Sequence, residues 1–223
     1  MSHYSIIIPI HNELELLPLL IKDVNPYALK GHEIIVIDDG STDKSTQFLK
    51  NFDYINLITL KTNKGKGVAL RKGLEKASNN KIIILDGDNE IPLSVLNQFM
   101  ILDSNSGVLS VFGTRYINLN PLKSLMDCGN FLFTILFNFL HNSKHQDILC
   151  CAKSFYKNDL NLKALYSTKF SIDVEIASML TQKLGEIHTI NLPYQRRTIS
   201  EGKKLRLWDG ISILILLLKR ILN

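Results

Sequence analysis

The chain has 223 residues, 26 Lys and Arg against 21 Asp and Glu, and a formal net charge of +5. Residues 196–223 hold seven of the basic and two of the acidic residues, so residues 1–195 are neutral and all of the excess sits in the last 28. This excludes a uniformly basic nucleic-acid coat, and the 45% hydrophobic fraction excludes disorder; a neutral globular body carries a basic end that meets something anionic.

The first half alternates strand-like and helix-like segments. Residues 4–10 are a β-branched run. Residues 13–24 read as a helix, with Leu16, Leu17, Leu20 and Val24 on one side. Residues 33–38 (EIIVID) are an apolar strand that ends in carboxylates. Residues 41–52 form a helix capped by Ser41 or Thr42. Residues 55–61 make a third strand, and 66–77 a basic amphipathic helix. Residues 81–86 (KIIILD) make a fourth strand, again ending in Asp. A short helix over 92–103 and a fifth strand over 108–113 follow. Unbroken apolar strands separated by helices predict a parallel α/β sheet buried on both faces.

The second half reads differently. Residues 122–140 are helical and contain FLFTILFNFL (131–140). Residues 146–155 read as a strand, and 170–184 as a helix from about residue 173. A short strand over 186–192 enters Pro193. Residues 194–210 are polar and basic, and 211–222 are apolar with Lys219 and Arg220 inside. Length allows one domain, or one domain with an appendage. The start MSHYSIII lacks the basic region and cleavage site of a signal peptide. Cys128, Cys150 and Cys151 are an odd count without a CxxC, which fits reduced thiols in a cytosolic compartment.

Parallel sheets bind ligands at the carboxyl ends of their strands. The polar clusters lie there: His11-Asn12-Glu13, Asp38-Asp39-Gly40 and Asp86-Gly87-Asp88 each follow a strand directly. Asp86 and Asp88, with Glu90 as a third carboxylate, offer oxygen ligands at a spacing that suits Mg²⁺ or Mn²⁺. A solvated acidic turn is the competing reading. Helix capping accounts for Ser41, Thr42 and Asp43, but not for the two carboxylates before them. Those carboxylates can accept hydrogen bonds from a ribose or a base. Asn63-Lys64-Gly65-Lys66-Gly67 leads into a helix and can offer N–H groups and cations to a phosphate. It is not a dinucleotide fingerprint, because Leu70 stands where the third glycine belongs.

IPIHNE (8–13), IDDGSTD (37–43), NKGKG (63–67) and LDGDNE (85–90) come in the order and spacing of family 2 glycosyltransferases. FGTRY (112–116), QDILCCAKSF (146–155), FSIDVEIA (170–177) and YQRRTISEGKKLRLWDG (194–210) resemble the polyprenyl- and dolichyl-phosphate sugar synthase branch. The resemblance covers about residues 4–210. It implies a GT-A fold, with a mostly parallel central sheet flanked by helices. We take residues 1–205 as the catalytic domain and 206–223 as a basic, apolar C-terminal helix. The resemblance also implies that Pro9, Asn12, Glu13 and Asp38 or Asp39 hold the nucleoside, with Lys64 and Gly65 near the donor. Asp86, Gly87 and Asp88 would meet the diphosphate and its metal, with Glu90 where many relatives have Gln. Arg115, Arg197 and Lys203 would face phosphates. Asp147 would stand near the reacting centre, where it orients groups rather than abstracts a proton. Asp173 and Glu175 fall in a motif for which a structural role is equally open. One departure is Leu207 in the usual place of a Trp, which here follows as Trp208. Another is the lack of the transmembrane pair that many relatives carry.

The implied reaction moves a sugar, with inversion, from a GDP- or UDP-linked donor to a polyprenyl phosphate. Its transition state is oxocarbenium-like, and Mg²⁺ or Mn²⁺ on Asp86 and Asp88 neutralises the leaving diphosphate. A phosphate acceptor needs cations more than a strong base, since its second pKa is about 6. The alternatives are transfer to a glycan or glycolipid hydroxyl, and a non-catalytic nucleotide-sugar or scaffold protein. Of residues 211–218, seven are apolar, and at about 1.5 Å rise they cover roughly 12 Å, against a bilayer core of about 30 Å. An in-plane helix at the cytoplasmic face of a membrane is therefore expected, with 131–140 as a second contact. Burial in the core or in an oligomer interface is the competing reading. Nucleic acid is a poor competitor, because the basic segment has no aromatic platform beyond Trp208.

Overall fold

The structure is a computed structural model that describes residues 3–116, 121–198 and 209–219. Among these residues seven strands form one sheet: β1 (Tyr4–Ile10), β2 (Glu33–Asp38), β3 (Ile55–Thr59), β4 (Lys81–Ile84), β5 (Ser110–Thr114), β6 (Lys153–Tyr156) and β7 (His188–Asn191). Their order is β3-β2-β1-β4-β6-β5-β7. β1 pairs in parallel with β2 and β4, β2 with β3, and β5 with β7. β6 is antiparallel to both its neighbours, β4 and β5. The sheet is thus mostly parallel, as expected, with one reversed strand. The chain leaves β4, forms β5 two places away, and returns through β6 to fill the gap.

The helices are α1 (Leu17–Leu29), α2 (Ser45–Leu49), α3 (Lys66–Lys76), α4 (Leu96–Phe99), α5 (Leu125–His141), α6 (Ile172–Leu184) and α7 (Asp209–Lys219). Strand side chains alternate between the two faces. Ile6, Ile8, Ile34, Val36 and Ile83 pack with Leu17, Leu20 and Val24 of α1 and Phe99 of α4. Ile7, Ile35, Ile37, Ile82 and Ile84 pack on the other face with Leu70 of α3, Phe137 of α5, Leu180 of α6 and Leu216 of α7. Burial on both faces is why these strands read as unbroken apolar runs.

Several boundaries differ from expectation, each for a local reason. α1 begins four residues late. The Leu16 N–H first closes a turn on the Glu13 carbonyl at 2.9 Å, and Pro18 then sits in the first helical turn. α2 keeps only five residues, because Lys44 is left-handed and Ser41 and Thr42 are bonded to Asn12 rather than to a helix end. Residues 92–103 contain a 3₁₀ turn, Leu93–Val95, followed by the short α4. Of residues 146–155 only the last three are in a strand; the Cys150 N–H turns back towards the Asp147 carbonyl at 3.4 Å.

α7, in the C-terminal segment, has one buried and one exposed face. Ile213, Leu216 and Leu217 are buried in the second core, while Ile211, Leu214, Ile215 and Leu218 are exposed. It packs against α5, which buries Phe137 and exposes Leu132, Ile135 and Phe139. Among the described residues no helix is long and apolar enough to cross a membrane. The expected boundary at 205/206 lies outside the described residues.

The first turn of α3 is fixed by a close backbone approach. The Gly67 N–H donates to the Thr168 carbonyl at 2.9 Å, and a Cβ on Gly67 would lie 2.2 Å from the Ser167 carbonyl oxygen. Gly67→Ala therefore pushes residues 167–168 off α3. The expected loss is about 1–3 kcal/mol, the range for overpacking. It is read as a lower urea midpoint with an unchanged slope.

Candidate active site

The loops after β1, β2 and β4 meet the start of α3 at the carboxyl edge of the sheet. There they line a cavity of about 600 Å³. The lining also includes Arg115, Phe170 and Asp173, Tyr194 and Arg197, and Asp209 and Ile213 of α7.

Asp38 and Asp39 have different fates because adjacent side chains at a strand end point to opposite sides. Asp38 is fully buried, accepts from the Ser41 N–H at 2.9 Å and the Thr46 hydroxyl, and does not line the cavity. Asp39 lines it and accepts from the Lys64 and Gly65 N–H groups, both at 2.8 Å. It thereby fixes the loop that starts α3. Asn12 sits outside the cavity lining, left-handed at φ 51°, and ties the first two loops by accepting from the Thr42 N–H at 2.7 Å. The Lys64 side chain is exposed and also outside the lining. Pro9, Glu13, Gly65 and Gly87 line the cavity.

Asp86 and Asp88 line the cavity on either side of Gly87 in the chain. One Asp86 oxygen accepts from the Lys66 ammonium at 2.8 Å; the other is buried without a hydrogen-bond partner. Burial, with Asp86 and then Glu90 adding like charge, pushes the Asp88 carboxyl up to about 6. Two close carboxylates, one with an unmet buried oxygen and one repelled by its neighbours, are a donor set suited to a divalent cation. Mg²⁺ takes one or two protein carboxylates and fills its remaining positions with phosphates and water. Glu90, expected beside them, lines the same cavity, and its oxygens accept from the Tyr194 hydroxyl at 3.0 Å and the Arg197 N–H at 2.9 Å. Among the described residues no three His, Cys, Asp or Glu side chains converge as a metal cage.

Arg115 enters the cavity from β5, backed by Asp147. Its Nε and Nη2 donate to the two Asp147 oxygens at 2.7 and 2.8 Å, and its N–H donates at 3.1 Å. Burial opposes the guanidinium charge, but Asp147 overrides it and holds the pKa well above the ordinary value. The Tyr116 and Tyr194 rings each lie 5.3 Å from the guanidinium carbon. Asp147 lies outside the cavity lining, with both carboxylate oxygens bonded to Arg115.

Of residues 194–198, which form no regular element, Tyr194 and Arg197 line the cavity. Arg196 and Arg197 have different partners. The Arg196 guanidinium pairs with Asp127 of α5, and Arg197 donates to Glu13 at 3.0 Å inside the cavity. Lys203 lies outside the described residues.

Two partners were not legible in sequence. Lys66 was one cation among several in NKGKG; in the structure it bridges Asp86 and Asp173, 2.8 Å from each. Burial works against its charge, but Asp173 and Asp86 hold its pKa well above the ordinary value. Asp173 and Glu175 divide the roles left open for them. Asp173 faces the cavity, and Glu175 accepts from the Tyr166 and Ser167 N–H groups at 3.1 and 3.0 Å.

The family model described as Glycosyl transferase family 2 matches residues 5–157. This chain belongs to glycosyl transferase family 2. Among curated members, the cholesterol galactosyltransferase of Borreliella burgdorferi is 33% identical over 138 residues, covering 58% of this chain and 38% of its own length. The human dolichyl-phosphate beta-glucosyltransferase is 32% identical over 98 residues, 38% of this chain and 30% of that one. The undecaprenyl-phosphate 4-deoxy-4-formamido-L-arabinose transferase of Yersinia pestis is 40% identical over 97 residues, 40% of this chain and 29% of that one. The chain thus spans less than two fifths of the length of these relatives. In fold it is similar to glucosyl-3-phosphoglycerate synthase from Mycobacterium tuberculosis, solved with Mn²⁺, UDP and phosphoglyceric acid. The TM-score is 0.74 at 17% identity, covering 98% of this chain and 78% of that one. The family 2 chain therefore has the GT-A fold expected of it.

Proposed function

We propose that this chain transfers a sugar from a nucleotide diphosphate sugar to a polyprenyl phosphate. The observation that carries the reading is one cavity lined both by the carboxylates Asp86 and Asp88 and by the cations Arg115 and Arg197. Asp39 and the α3 loop that it fixes cradle the nucleotide. Asp86 and Asp88 hold Mg²⁺ or Mn²⁺, which when bound supplies Lewis-acid neutralisation of the leaving diphosphate. Arg115 and Arg197 orient the acceptor phosphate, Arg115 as a planar fork already aligned by Asp147. Family membership implies inversion at the anomeric carbon.

The galactosyltransferase relative named for cholesterol favours a second reading, transfer to a lipid hydroxyl. The two are separated by offering undecaprenyl phosphate, dolichyl phosphate or cholesterol with labelled UDP- and GDP-sugars. Label on the lipid phosphates is the expected result. Label on cholesterol alone overturns the phosphate assignment.

We also place the protein peripherally at the cytoplasmic face of a membrane. Support comes from the outer faces of α5 and α7. Leu132, Ile135 and Phe139 on one helix, and Leu214, Ile215 and Leu218 on the other, are exposed at helical spacing. Removing α7 is the wrong test, because its other face is core. Leu214→Glu with Leu218→Glu leaves that core intact and is expected to lower flotation with anionic vesicles at least tenfold. Each buried leucine is worth about 1.5–3 kcal/mol. Equal flotation of variant and wild type removes α7 from the membrane contact.

A further inference from the structure

Lys66 is the first residue of α3, and its side chain is 9% exposed. Its Nζ is 2.8 Å from one oxygen of Asp86 and 2.8 Å from one of Asp173. The second Asp86 oxygen is buried with no partner. The carboxylate best placed for a divalent ion thus already carries a cation, and that cation belongs to the chain. Lys66 sits beside Gly65, whose N–H is held by Asp39. Its stem therefore leaves the same loop that would approach a donor diphosphate.

We propose that the Lys66 ammonium is the resident counter-ion of Asp86, held there by Asp173, and that it competes with a divalent cation for that carboxylate until an incoming diphosphate takes over the ammonium. The proposal rests on the donor and metal reading above and adds an order to it. An ammonium on Asp86 neutralises half of the Asp86–Asp88 charge and repels a second cation nearby. A diphosphate carries more charge than one carboxylate and attracts the ammonium more strongly. Metal alone then binds weakly, and metal and nucleotide each strengthen the other by the same factor. Asp173 keeps the ammonium inside the cavity in both states. Lys66 acts here through Asp86, so it is a positioning residue for the metal.

The test is a titration of the full chain with Mn²⁺, followed by the electron paramagnetic resonance signal of the free ion, alone and with UDP or GDP. Wild type is expected to bind Mn²⁺ weakly alone and roughly tenfold or more tightly with the accepted nucleotide. Lys66→Met is expected to bind Mn²⁺ alone about tenfold more tightly than wild type and to lose most of the nucleotide coupling. Lys66→Arg, which keeps the charge, stays near wild type. The double variant Lys66→Met with Asp173→Asn removes both buried charges together. It shows the same tightening if the single variant folds poorly. A merely structural Lys66 predicts the opposite sign, since loosening the site weakens the metal. Mn²⁺ binding to Lys66→Met or the double variant no tighter than to wild type overturns the proposal, as does equal tightening in Lys66→Arg. If wild type binds Mn²⁺ with nucleotide in that case, only the role of Lys66 falls. If no arm binds Mn²⁺, the metal reading falls with it.

Discussion

Asp88→Asn is expected to reduce sugar transfer by roughly a thousandfold or more while leaving the fold intact. The size follows from the charge it removes. A Lewis acid on a leaving diphosphate supplies several kcal/mol of transition-state stabilisation, and each 1.36 kcal/mol is about tenfold in rate. The intact fold follows from what Asp88 does without a metal. Among the described residues no ion pair forms to its carboxylate; its Oδ1 accepts the Glu90 N–H at 3.1 Å, which an amide oxygen can also do. Burial and the charges of Asp86 and Glu90 disfavour its ionised form, so neutralising it relieves repulsion. The melting temperature is therefore expected to hold or rise slightly. The check is labelled-sugar transfer beside a thermal melt. An Asp88→Asn protein with full activity removes Asp88 from the metal site, and an unfolded one removes the claim that the residue serves chemistry alone.

The parts of this molecule legible in sequence are those governed by local pattern. The strands over 4–10 and 33–38 could be read because burial on both faces makes most of each an unbroken β-branched run, Ile6–Ile8 in one and Ile34–Ile37 in the other. The carboxyl-end loops could be read because Asp39 follows β2 directly and Asp86 and Asp88 lie within four residues of the end of β4. What could not be read depends on which segments meet. The insertion of β6 between β4 and β5 is a long-range pairing that no period encodes. The bridge from Lys66 to Asp173 spans 107 positions, and a lysine in a glycine-rich lead looks the same whether it faces phosphate, solvent or a carboxylate. Arg196 and Arg197 are adjacent and identical in type. Only the placement of α5 reveals that Arg196 serves Asp127 while Arg197 serves the cavity. The apolar run after residue 210 has the opposite problem. Periodicity permits both a core face and a surface face, and α7 uses both.

Asp147→Ala is expected to destabilise the protein by about 3–5 kcal/mol, the usual effect of leaving one partner of a buried ion pair alone. For a chain of this size each kcal/mol shifts the melting temperature by about 2–4 °C, so a fall of roughly 6–20 °C is the readout. The pair is buried enough for this magnitude, with side chains 12% exposed for Arg115 and 1% for Asp147. Asp147 also accepts the Arg115 backbone N–H, so the end of β5 loses an anchor along with the charge partner. The two tyrosine rings beside the guanidinium soften the loss but do not replace a bidentate carboxylate. Adding Arg115→Met removes the stranded charge and is expected to recover most of the stability, but not the transfer activity, because the cation that faces the acceptor is gone. This pattern separates a positioning role from a general base. A base at Asp147 predicts that Asp147→Asn stays fully stable, loses kcat, and loses the acidic limb of the pH–rate profile. A positioning carboxylate predicts lost stability, a raised KM for the acceptor, and an unchanged profile in whatever activity remains. Since both Asp147 oxygens are already bonded to Arg115 and neither lines the cavity, the second pattern is the expected one.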